Sequence, residues 1–202
     1  MGEKIHWEKI YQTKKIDGVS WFQETPTESI ELIQKYSNNS SDKIIDVGCG
    51  KGFLADNLLE SKFKDITLVD ISSNALFEIN NRLKNQYLSF IETDILDFDS
   101  DNKYDVWHDR AVFHFITENK SIDKYISLCN EYIKIGGTLI IGTFAEDGPL
   151  KCSGLEIKRY SIYDLENLFK ENFELAEGFK MSHKTPFDTQ QSFTFCVFKK
   201  VY

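Results

Sequence analysis

The sequence predicts an α/β fold built around a mostly parallel, doubly wound sheet. Five short apolar segments recur along the chain, each separated from the next by enough residues to form a helix. Alternating strands and helices form a parallel sheet covered on both faces, because right-handed crossovers place the helices there. A glycine-rich turn directly follows the first apolar segment, as in sheets that bind ligands at the carboxyl ends of their strands.

The strands are bounded by polar and glycine-containing segments. We predict the first five strands at residues 43–47, 65–70, 88–92, 104–108 and 137–143. Two further strands are predicted near the carboxyl terminus, at residues 173–181 and 191–200. The last strand is apolar on both of its alternating faces, which is typical of a strand inside a sheet.

Capping residues and apolar stripes predict the helices. Residues 25–28 (TPTE) supply a cap, a proline at the first helical position and an acid at the third, so a helix is expected to reach Tyr36. Ser72 is expected to cap the helix after the second strand, and Ser161 with Asp164 the last helix. The clearest apolar stripe precedes the fifth strand and consists of Ile122, Tyr125, Ile126, Cys129, Tyr132 and Ile133.

The run from Lys43 to Leu54 (KIIDVGCGKGFL) carries the strongest functional signal. The strand delivers Asp46, and the three glycines that follow at alternate positions let the backbone approach a ligand closely, because they carry no Cβ. Dinucleotide-binding turns instead show G-x-G-x-x-G and hold a pyrophosphate at the helix N-terminus. Asp46 would repel a pyrophosphate but suits a cationic ligand. S-adenosylmethionine carries a sulfonium and an ammonium, so we expect this cofactor rather than NAD.

Residues 44–59 resemble motif I of the class I S-adenosylmethionine-dependent methyltransferases, and later motifs extend the resemblance to roughly residues 20–200. Residues 69–72 (VDIS) resemble the segment whose acid binds both ribose hydroxyls. Residues 90–95 (FIETDI) resemble the segment whose acid contacts the adenine amino group and whose next residue packs on the ring. Residues 104–109 (YDVWHD) resemble motif IV, beside the transferred methyl, and residues 136–141 (GGTLII) the turn into the fifth strand.

The resemblance implies a Rossmann-like sheet of seven strands with helices on both faces. Strands 1–5 are expected to be parallel, and the carboxyl-terminal hairpin to end in an antiparallel last strand. The cofactor is expected to be S-adenosyl-L-methionine, with S-adenosyl-L-homocysteine as its product. The predicted cofactor-binding residues are Asp46, Gly48, Cys49, Gly50, Gly52, Asp70, Ile71, Asp94, Ile95 and Trp21.

The end of the fourth strand and the segment after it hold the candidate catalytic residues Asp109, His108 and His114. One of them near the methyl group would orient or deprotonate the nucleophile. The alternative is an internal ion pair between Asp109 and Arg110, with two packed histidines. The loop at residues 143–155 is expected to line the acceptor pocket, with Arg159 and Tyr160 just beyond it, or to be an ordinary surface loop.

The amino-terminal aromatic residues also allow two interpretations. Trp7, Tyr11, Trp21 and Phe22 either belong to the core or form a lid over the cofactor, where an aromatic face attracts the sulfonium. We predict a single methyltransferase domain over residues 1–202, with residues 1–24 as a cap and residues 25–202 as the core.

Three functions remain open from the sequence. The first is methyl transfer by in-line displacement to a small-molecule sulfur, nitrogen or oxygen nucleophile, since Trp107-His108-Asp109-Arg110 is similar to the W-D-R segment of thiopurine and related small-molecule methyltransferases apart from the inserted histidine. The second is a protein lysine methyltransferase, because Val19-Ser20-Trp21-Phe22 resembles enzymes that modify translation factors. The third is a cofactor-binding module without catalysis.

Composition restricts the partners. The formal net charge of −8 argues against a broad nucleic-acid interface, which needs a basic face. The four cysteines are scattered without metal-binding spacing, so we expect no metal site and a reducing, cytoplasmic location. No apolar run reaches the ~20 residues of a membrane span, so no membrane partner is expected. A monomer or weak homodimer is predicted.

Overall fold

The computed structural model describes residues 2–202 and contains one seven-stranded mixed sheet with six α-helices around it. The helices are α1 (Gly2–Thr13), α2 (Thr27–Tyr36), α3 (Leu54–Glu60), α4 (Ser73–Leu83), α5 (Asn119–Tyr132) and α6 (Ile162–Phe169). The strands of the sheet are β1 (Ile44–Val47), β2 (Ile66–Asp70), β3 (Leu88–Glu92), β4 (Tyr104–Arg110), β5 (Ile133–Phe144), β6 (Phe173–Lys184) and β7 (Gln190–Lys200). A two-stranded ribbon (Lys151–Cys152 with Leu155–Glu156) follows β5.

The strand order is β3-β2-β1-β4-β5-β7-β6. Strands β1 to β5 pair in parallel, whereas β7 pairs antiparallel with both β5 and β6. The order reverses between β1 and β4, and this point of reversal is where open α/β sheets bind ligands. The predicted fold class, including the antiparallel last strand, is confirmed.

Each face of the sheet carries its own hydrophobic core. One core packs α5 and α6 on the sheet through Trp107, Leu139, Ile141 and Phe198. The other packs α2, α3 and α4 through Ile44, Leu68, Val106, Ile140 and Val197. Because side chains alternate between faces along a strand, even-numbered positions of β1 face α2, and from Val106 onward the even-numbered positions of β4 do so too, whereas Trp107 and Asp109 face α5. This parity determines which polar residues reach the site.

The structure differs locally from the sequence-based expectations. Residues 2–13 form α1, which the sequence did not reveal because its side chains face several different surroundings rather than one apolar core. The predicted helix ending at Tyr36 is present, but it begins at Thr27 with Pro26 in the cap position, and Thr25 accepts through its backbone carbonyl. The cap at Ser72 and the capping box of Ser161 with Asp164 are both confirmed.

Candidate cofactor and active site

The glycine turn after β1 is held tightly against its neighbours. The N–H groups of Gly48 and Cys49 both donate to the carbonyl of Val69, at 2.7 and 3.1 Å. Gly48 has a φ of +64°, and a Cβ added to it would lie 2.0 Å from Cγ2 of Val112. A side chain at Gly48 would therefore be strained and would collide with the segment after β4. The glycine thus allows the turn to pack directly against the segment after β4.

Asp70, at the end of β2, is buried and oriented by the backbone. Its Oδ2 accepts from the N–H of Gly50 and its Oδ1 from the N–H of Ser72, each at 2.8 Å. Burial raises the pKa of Asp70 to about 6, and the two backbone donors act in the opposite direction. Each carboxylate oxygen has lone pairs left for further donors, so the group suits a pair of neighbouring hydroxyls.

Two adjoining cavities lie at the carboxyl ends of the central strands. The larger has a volume of about 270 Å³ and the smaller about 90 Å³. Among the predicted cofactor-binding residues, the larger is bordered by Trp21, Gly48, Asp70, Ile71, Asp94 and Ile95. The smaller is bordered by Trp21, Asp46, Gly48, Cys49 and Gly52. Trp21, Gly48, Tyr11 and Arg110 border both, so the cavities form one bent site.

Asp94 occupies the far end of the larger cavity. Its Oδ1 accepts from the N–H of Leu96 at 3.0 Å and so caps the short turn Ile95–Asp97. The apolar side chains of Ile71, Ile95 and Leu96 border the same part of the cavity. This end therefore combines apolar walls with a hydrogen-bond acceptor, which suits a nucleobase. Gly50 lies beside Tyr11 and Asp70 instead of on either cavity wall.

Asp46 and His108 are direct cross-strand partners on the face toward α2. Nδ1 of His108 lies 2.7 Å from Oδ1 of Asp46, and Nε2 lies 2.9 Å from Oγ of Ser29 on α2. All three residues border the smaller cavity and are almost completely buried. The predicted catalytic residue His108 thus reaches the site, at the end where Asp46 lies.

Asp109 lies on the opposite face of the sheet and does not border either cavity. Its Oδ2 accepts a 2.6 Å hydrogen bond from the hydroxyl of Tyr125, and its oxygens also accept from the N–H groups of Val112 and Phe113. Burial raises the pKa of Asp109 to about 6. These contacts fix the turn after β4, so the position favours a structural role over the predicted catalytic one, and no ion pair with Arg110 forms.

His114 is also fully buried and away from both cavities. Its Nδ1 accepts from the N–H of Phe144 at 3.3 Å, and its ring packs between Phe115 and Phe144. Burial, together with the nearby charge of Arg110, lowers the pKa of His114 to about 3. The imidazole is therefore neutral near pH 7 and packs in the core, and its position does not favour a catalytic role.

Arg110 borders the site although the sequence did not predict it as a site residue. It follows His108 by two positions and therefore points to the same face, where it borders both cavities. Nη1 donates to the carbonyl of Trp21 at 3.1 Å, the guanidinium lies 5.0 Å from the ring centroid of Phe193, and Nη2 has no hydrogen-bond partner within residues 2–202. Burial lowers the pKa of Arg110 to about 10. A buried guanidinium with an unused donor can bind an anion.

Helix α1 covers the site. Its Trp7 and Tyr11 border the larger cavity, and Trp7 packs edge-on against Trp21 and Phe115. Glu8, on another side of the helix, accepts from the N–H and hydroxyl of Ser73 at 2.7 and 2.8 Å and attaches α1 to the start of α4. The aromatic residues of the amino-terminal segment are thus partly cavity wall and partly core.

The segment after β5 contributes less to the site than the sequence suggested. Cys152 borders the larger cavity. Arg159 donates to the carbonyl of Gly148 at 3.1 Å, and Tyr160 is buried in the core, where it stacks on Phe113. Arg159 and Tyr160 therefore stabilise the loop and the core, and the structure does not bring them to either cavity.

Comparison with known proteins agrees with this geometry. Residues 38–194 match the family model described as a methyltransferase domain. The chain belongs to this methyltransferase family, and its assignment to the class I S-adenosylmethionine-dependent methyltransferases is confirmed. The N-methyltransferase NodS from Bradyrhizobium japonicum, solved with S-adenosylhomocysteine, superposes with a TM-score of 0.73 at 15% identity over 96% of this chain and 98% of that one. A methyltransferase structure from Anabaena variabilis gives a TM-score of 0.75 at 15% identity over 98% and 93% of the two chains.

Curated relatives act on very different acceptors. The malonyl-[acyl-carrier protein] O-methyltransferase 2 of Ilyobacter polytropus is 28% identical over 107 residues, which is 52% of this chain and 40% of that protein. Mouse eEF1A lysine and N-terminal methyltransferase is 22% identical over 74% of this chain and 22% of its own length. The chain thus spans less than half of either protein. Human EEF1A lysine methyltransferase 2 is 24% identical over 88% of this chain and 76% of its own length.

Proposed function

We propose that this protein transfers a methyl group from S-adenosylmethionine to a small-molecule nucleophile. The observation that carries the proposal is the convergence of Asp46, Gly48, Asp70 and Asp94 on one bent site at the point where the strand order reverses. These residues come from three different strand ends. Each offers the chemistry that one part of the cofactor requires.

The site residues fit the cofactor from end to end. The apolar walls at Ile71 and Ile95, with Asp94, suit adenine, and Asp70 has free lone pairs for the ribose hydroxyls. The smaller cavity, with Asp46, suits the amino-acid end. When bound, S-adenosylmethionine supplies a methyl group on a sulfonium. The protein's task is to bind and orient the donor, exclude water, and hold the acceptor in line.

Two features support a small, anionic or uncharged acceptor. Arg110 borders both cavities, and its Nη2 has no hydrogen-bond partner within residues 2–202, so it can bind a carboxylate or thiolate even though Glu3, Asp70, Asp94 and Glu118 also border the larger cavity. The cover formed by Trp7, Tyr11 and Trp21 narrows access to the larger cavity. A thiol, with a pKa near 8.5, costs about 2 kcal/mol to deprotonate at pH 7, against about 4.6 kcal/mol for a lysine amine.

A protein lysine acceptor is the second candidate. It is favoured by the similarity to human EEF1A lysine methyltransferase 2, which extends over 88% of this chain. A lysine would have to lose its proton before it attacks the methyl group, and this costs more free energy at pH 7 than deprotonation of a thiol. This cost ranks lysine methylation below small-molecule methylation.

Radiolabelled donor distinguishes the candidates. The protein is incubated with methyl-labelled S-adenosylmethionine and separate pools of metabolites and of proteins from which metabolites have been removed. Label in small molecules alone supports the leading proposal, and label in protein alone supports lysine methylation. Tight binding of S-adenosylhomocysteine without label in either pool supports a binding module without catalysis.

The remaining expectations belong to the same proposal. We propose that residues 1–202 act as one methyltransferase domain in which residues 1–24 form the cap, supported by the contacts of α1 with α4 and with the site. No helix within residues 2–202 is long and apolar enough to cross a membrane. We keep a cytoplasmic location, and a monomer or weak homodimer without nucleic-acid partners, as proposals.

A further inference from the structure

Three side chains from distant parts of the sequence form a continuous hydrogen-bonded chain beneath the smaller cavity. Ser29 on α2, His108 on β4 and Asp46 on β1 are joined by contacts of 2.9 and 2.7 Å through the two nitrogens of the imidazole. Their exposed fractions are 2%, 3% and 5%. The register places Asp46 directly opposite His108, so the contact requires no distortion of the sheet.

The chemistry of the partners assigns the protons. A carboxylate only accepts, so Nδ1 of His108 carries a hydrogen and donates it to Asp46. In a neutral ring Nε2 accepts from the hydroxyl of Ser29, and in a protonated ring it donates to that oxygen, so the contact exists in either form. Both polar atoms of the imidazole are therefore used, and the ring cannot rotate without breaking two buried hydrogen bonds. Oδ1 of Asp46 is held in place by a ring that is itself held by α2.

Such an arrangement fixes the orientation of the Asp46 carboxylate before a ligand binds. A group that binds a ligand gains affinity when its own position is set before binding, because less conformational freedom is lost. Arg110 lies two residues beyond His108 on the same face and borders the same cavity. The floor of the smaller cavity thus presents an oriented carboxylate close to a guanidinium that has an unused donor.

We propose that His108 and Ser29 are positioning residues that orient Asp46 toward the ammonium group of the methyl donor. This inference rests on the proposed function. It reassigns His108 from proton transfer with the acceptor to the binding of the donor. It also gives Ser29, which lies in the same buried stripe of α2 as Leu32 and Ile33, a role beyond packing.

The test compares two ligands that differ only at the amino-acid end. S-adenosylhomocysteine carries the ammonium and carboxylate, whereas 5′-methylthioadenosine lacks both but keeps the adenine and ribose. Binding of each is measured by calorimetry for the wild type, His108→Leu, His108→Asn and Ser29→Ala. Asparagine places an amide N–H near the position of Nδ1, so it is the conservative variant that preserves the bond to Asp46.

We expect His108→Leu to lower the affinity for S-adenosylhomocysteine about 10-fold or more, which is the size of one lost charge-assisted hydrogen bond. The affinity for 5′-methylthioadenosine is expected to stay within about 2-fold of the wild type. His108→Asn is expected to retain most of the wild-type affinity, and Ser29→Ala is expected to lower the affinity for S-adenosylhomocysteine about 2- to 5-fold. Equal weakening of both ligands, or no rescue by asparagine, would overturn the inference, because a merely structural role does not distinguish the ligands.

Asp70→Asn is the control for the proposed function, since the ribose is common to both ligands and both are expected to weaken. If the wild type binds neither ligand, the proposed function itself fails. If the wild type binds both ligands and Asp70→Asn weakens the binding of both, but the His108 and Ser29 variants do not give the results expected above, the positioning role alone fails. Should His108→Leu not fold, the comparison of His108→Asn with Ser29→Ala decides the question.

Discussion

The backbone N–H of Gly50 donates a 2.8 Å hydrogen bond to Oδ2 of Asp70, joining the glycine turn after β1 to the end of β2. The carboxylate lies twenty residues away in sequence from the turn that orients it. A glycine at this position is required by the backbone, because Gly50 has a φ of +56° and a Cβ on it would lie 2.6 Å from the hydroxyl of Tyr11. The turn therefore positions an acid as well as making room for a ligand.

Cofactor affinity is expected to depend on the ionisation of Asp70. Burial raises the pKa of this carboxyl to about 6 in the free protein, and ribose hydroxyls bind better to the ionised form. Affinity for S-adenosylhomocysteine should therefore be complete above pH 7 and fall below pH 6, by at most about tenfold per pH unit for one competing proton. Calorimetry from pH 5 to pH 8 measures this dependence. Asp70→Asn is expected to bind about 10- to 100-fold more weakly at pH 7 and with a smaller pH dependence; an equally steep profile in the variant would assign the titration to another group.

Replacement of Asp109 by asparagine tests whether this residue is catalytic. Since the carboxylate contacts Tyr125 and the turn after β4 rather than the cavities, we expect kcat of the folded Asp109→Asn protein to stay within about threefold of the wild type, against the 10²- to 10⁴-fold loss typical of a missing acid or base. Steady-state kinetics with the acceptor found by labelling provide the measurement. A loss of 100-fold or more, at unchanged thermal stability, would restore the catalytic assignment.

The raised pKa of Asp109 predicts a pH dependence of stability that the same variant can test. The folded-state pKa of Asp109, about 6, lies above that of an unfolded aspartate, about 3.9, so the folded state binds the proton first. The contribution of Asp109 to the free energy of unfolding is therefore complete below pH 4 and is lost as the pH rises through 6. Relative to Asp109→Asn, the wild type should become more stable on acidification from pH 6 to pH 4, by up to about 1.4 kcal/mol per pH unit. Urea denaturation of both proteins at matched pH values checks the sign.

His114 predicts the opposite dependence. Its pKa is lowered to about 3, so as the pH falls below 6.5 the unfolded chain binds a proton at this residue, whereas the folded chain does not do so until the pH is near 3. The stability contribution of His114 is present above pH 6.5 and declines as the pH falls toward 3. Asparagine preserves an acceptor for the N–H of Phe144 without titrating. The wild type should thus lose stability relative to His114→Asn, by up to about 1.4 kcal/mol per pH unit below 6.5, and a flat difference would contradict the buried neutral imidazole.

Glu8 is expected to control the cover of the site. Its carboxylate attaches α1 to α4 through Ser73, and α1 carries Trp7 and Tyr11 of the cavity wall. Glu8→Ala should lower the affinity for S-adenosylhomocysteine about 3- to 10-fold, mostly through faster dissociation. It should also reduce the protection of backbone amides from hydrogen exchange in residues 2–13. Stopped-flow binding and hydrogen exchange provide the two readouts. Gln12, which is exposed on the same helix and borders neither cavity, supplies a control in Gln12→Ala. Equal effects of both variants would argue against a specific attachment.

Much of the architecture follows from local patterns. Strand positions, the parallel order and the helices after β2 and before β5 were predictable because each depends on short-range periodicity and capping. Helix α1 was not, because Trp7 and Glu8 serve different neighbours and leave no single apolar stripe. The candidate site divides in the same way: Asp46, Asp70 and Asp94 were visible as acids at strand ends, whereas Ser29 and the unpaired donor of Arg110 were not.

By itself, the sequence determined that an apolar strand ends in an acid and a glycine turn, that further acids follow two later strands, and that this ordered set is typical of the methyltransferase family. Only the tertiary structure decided which neighbouring side chains serve that site. His108 and Asp109 are adjacent in sequence, yet the pleat of β4 sends one toward Asp46 and the other toward Tyr125. The reason is that the pleat makes adjacent side chains point to opposite faces, whereas the helices that cover each face decide which neighbours those side chains meet. That choice is made by contacts between residues 62 and 79 positions apart, which no local pattern records.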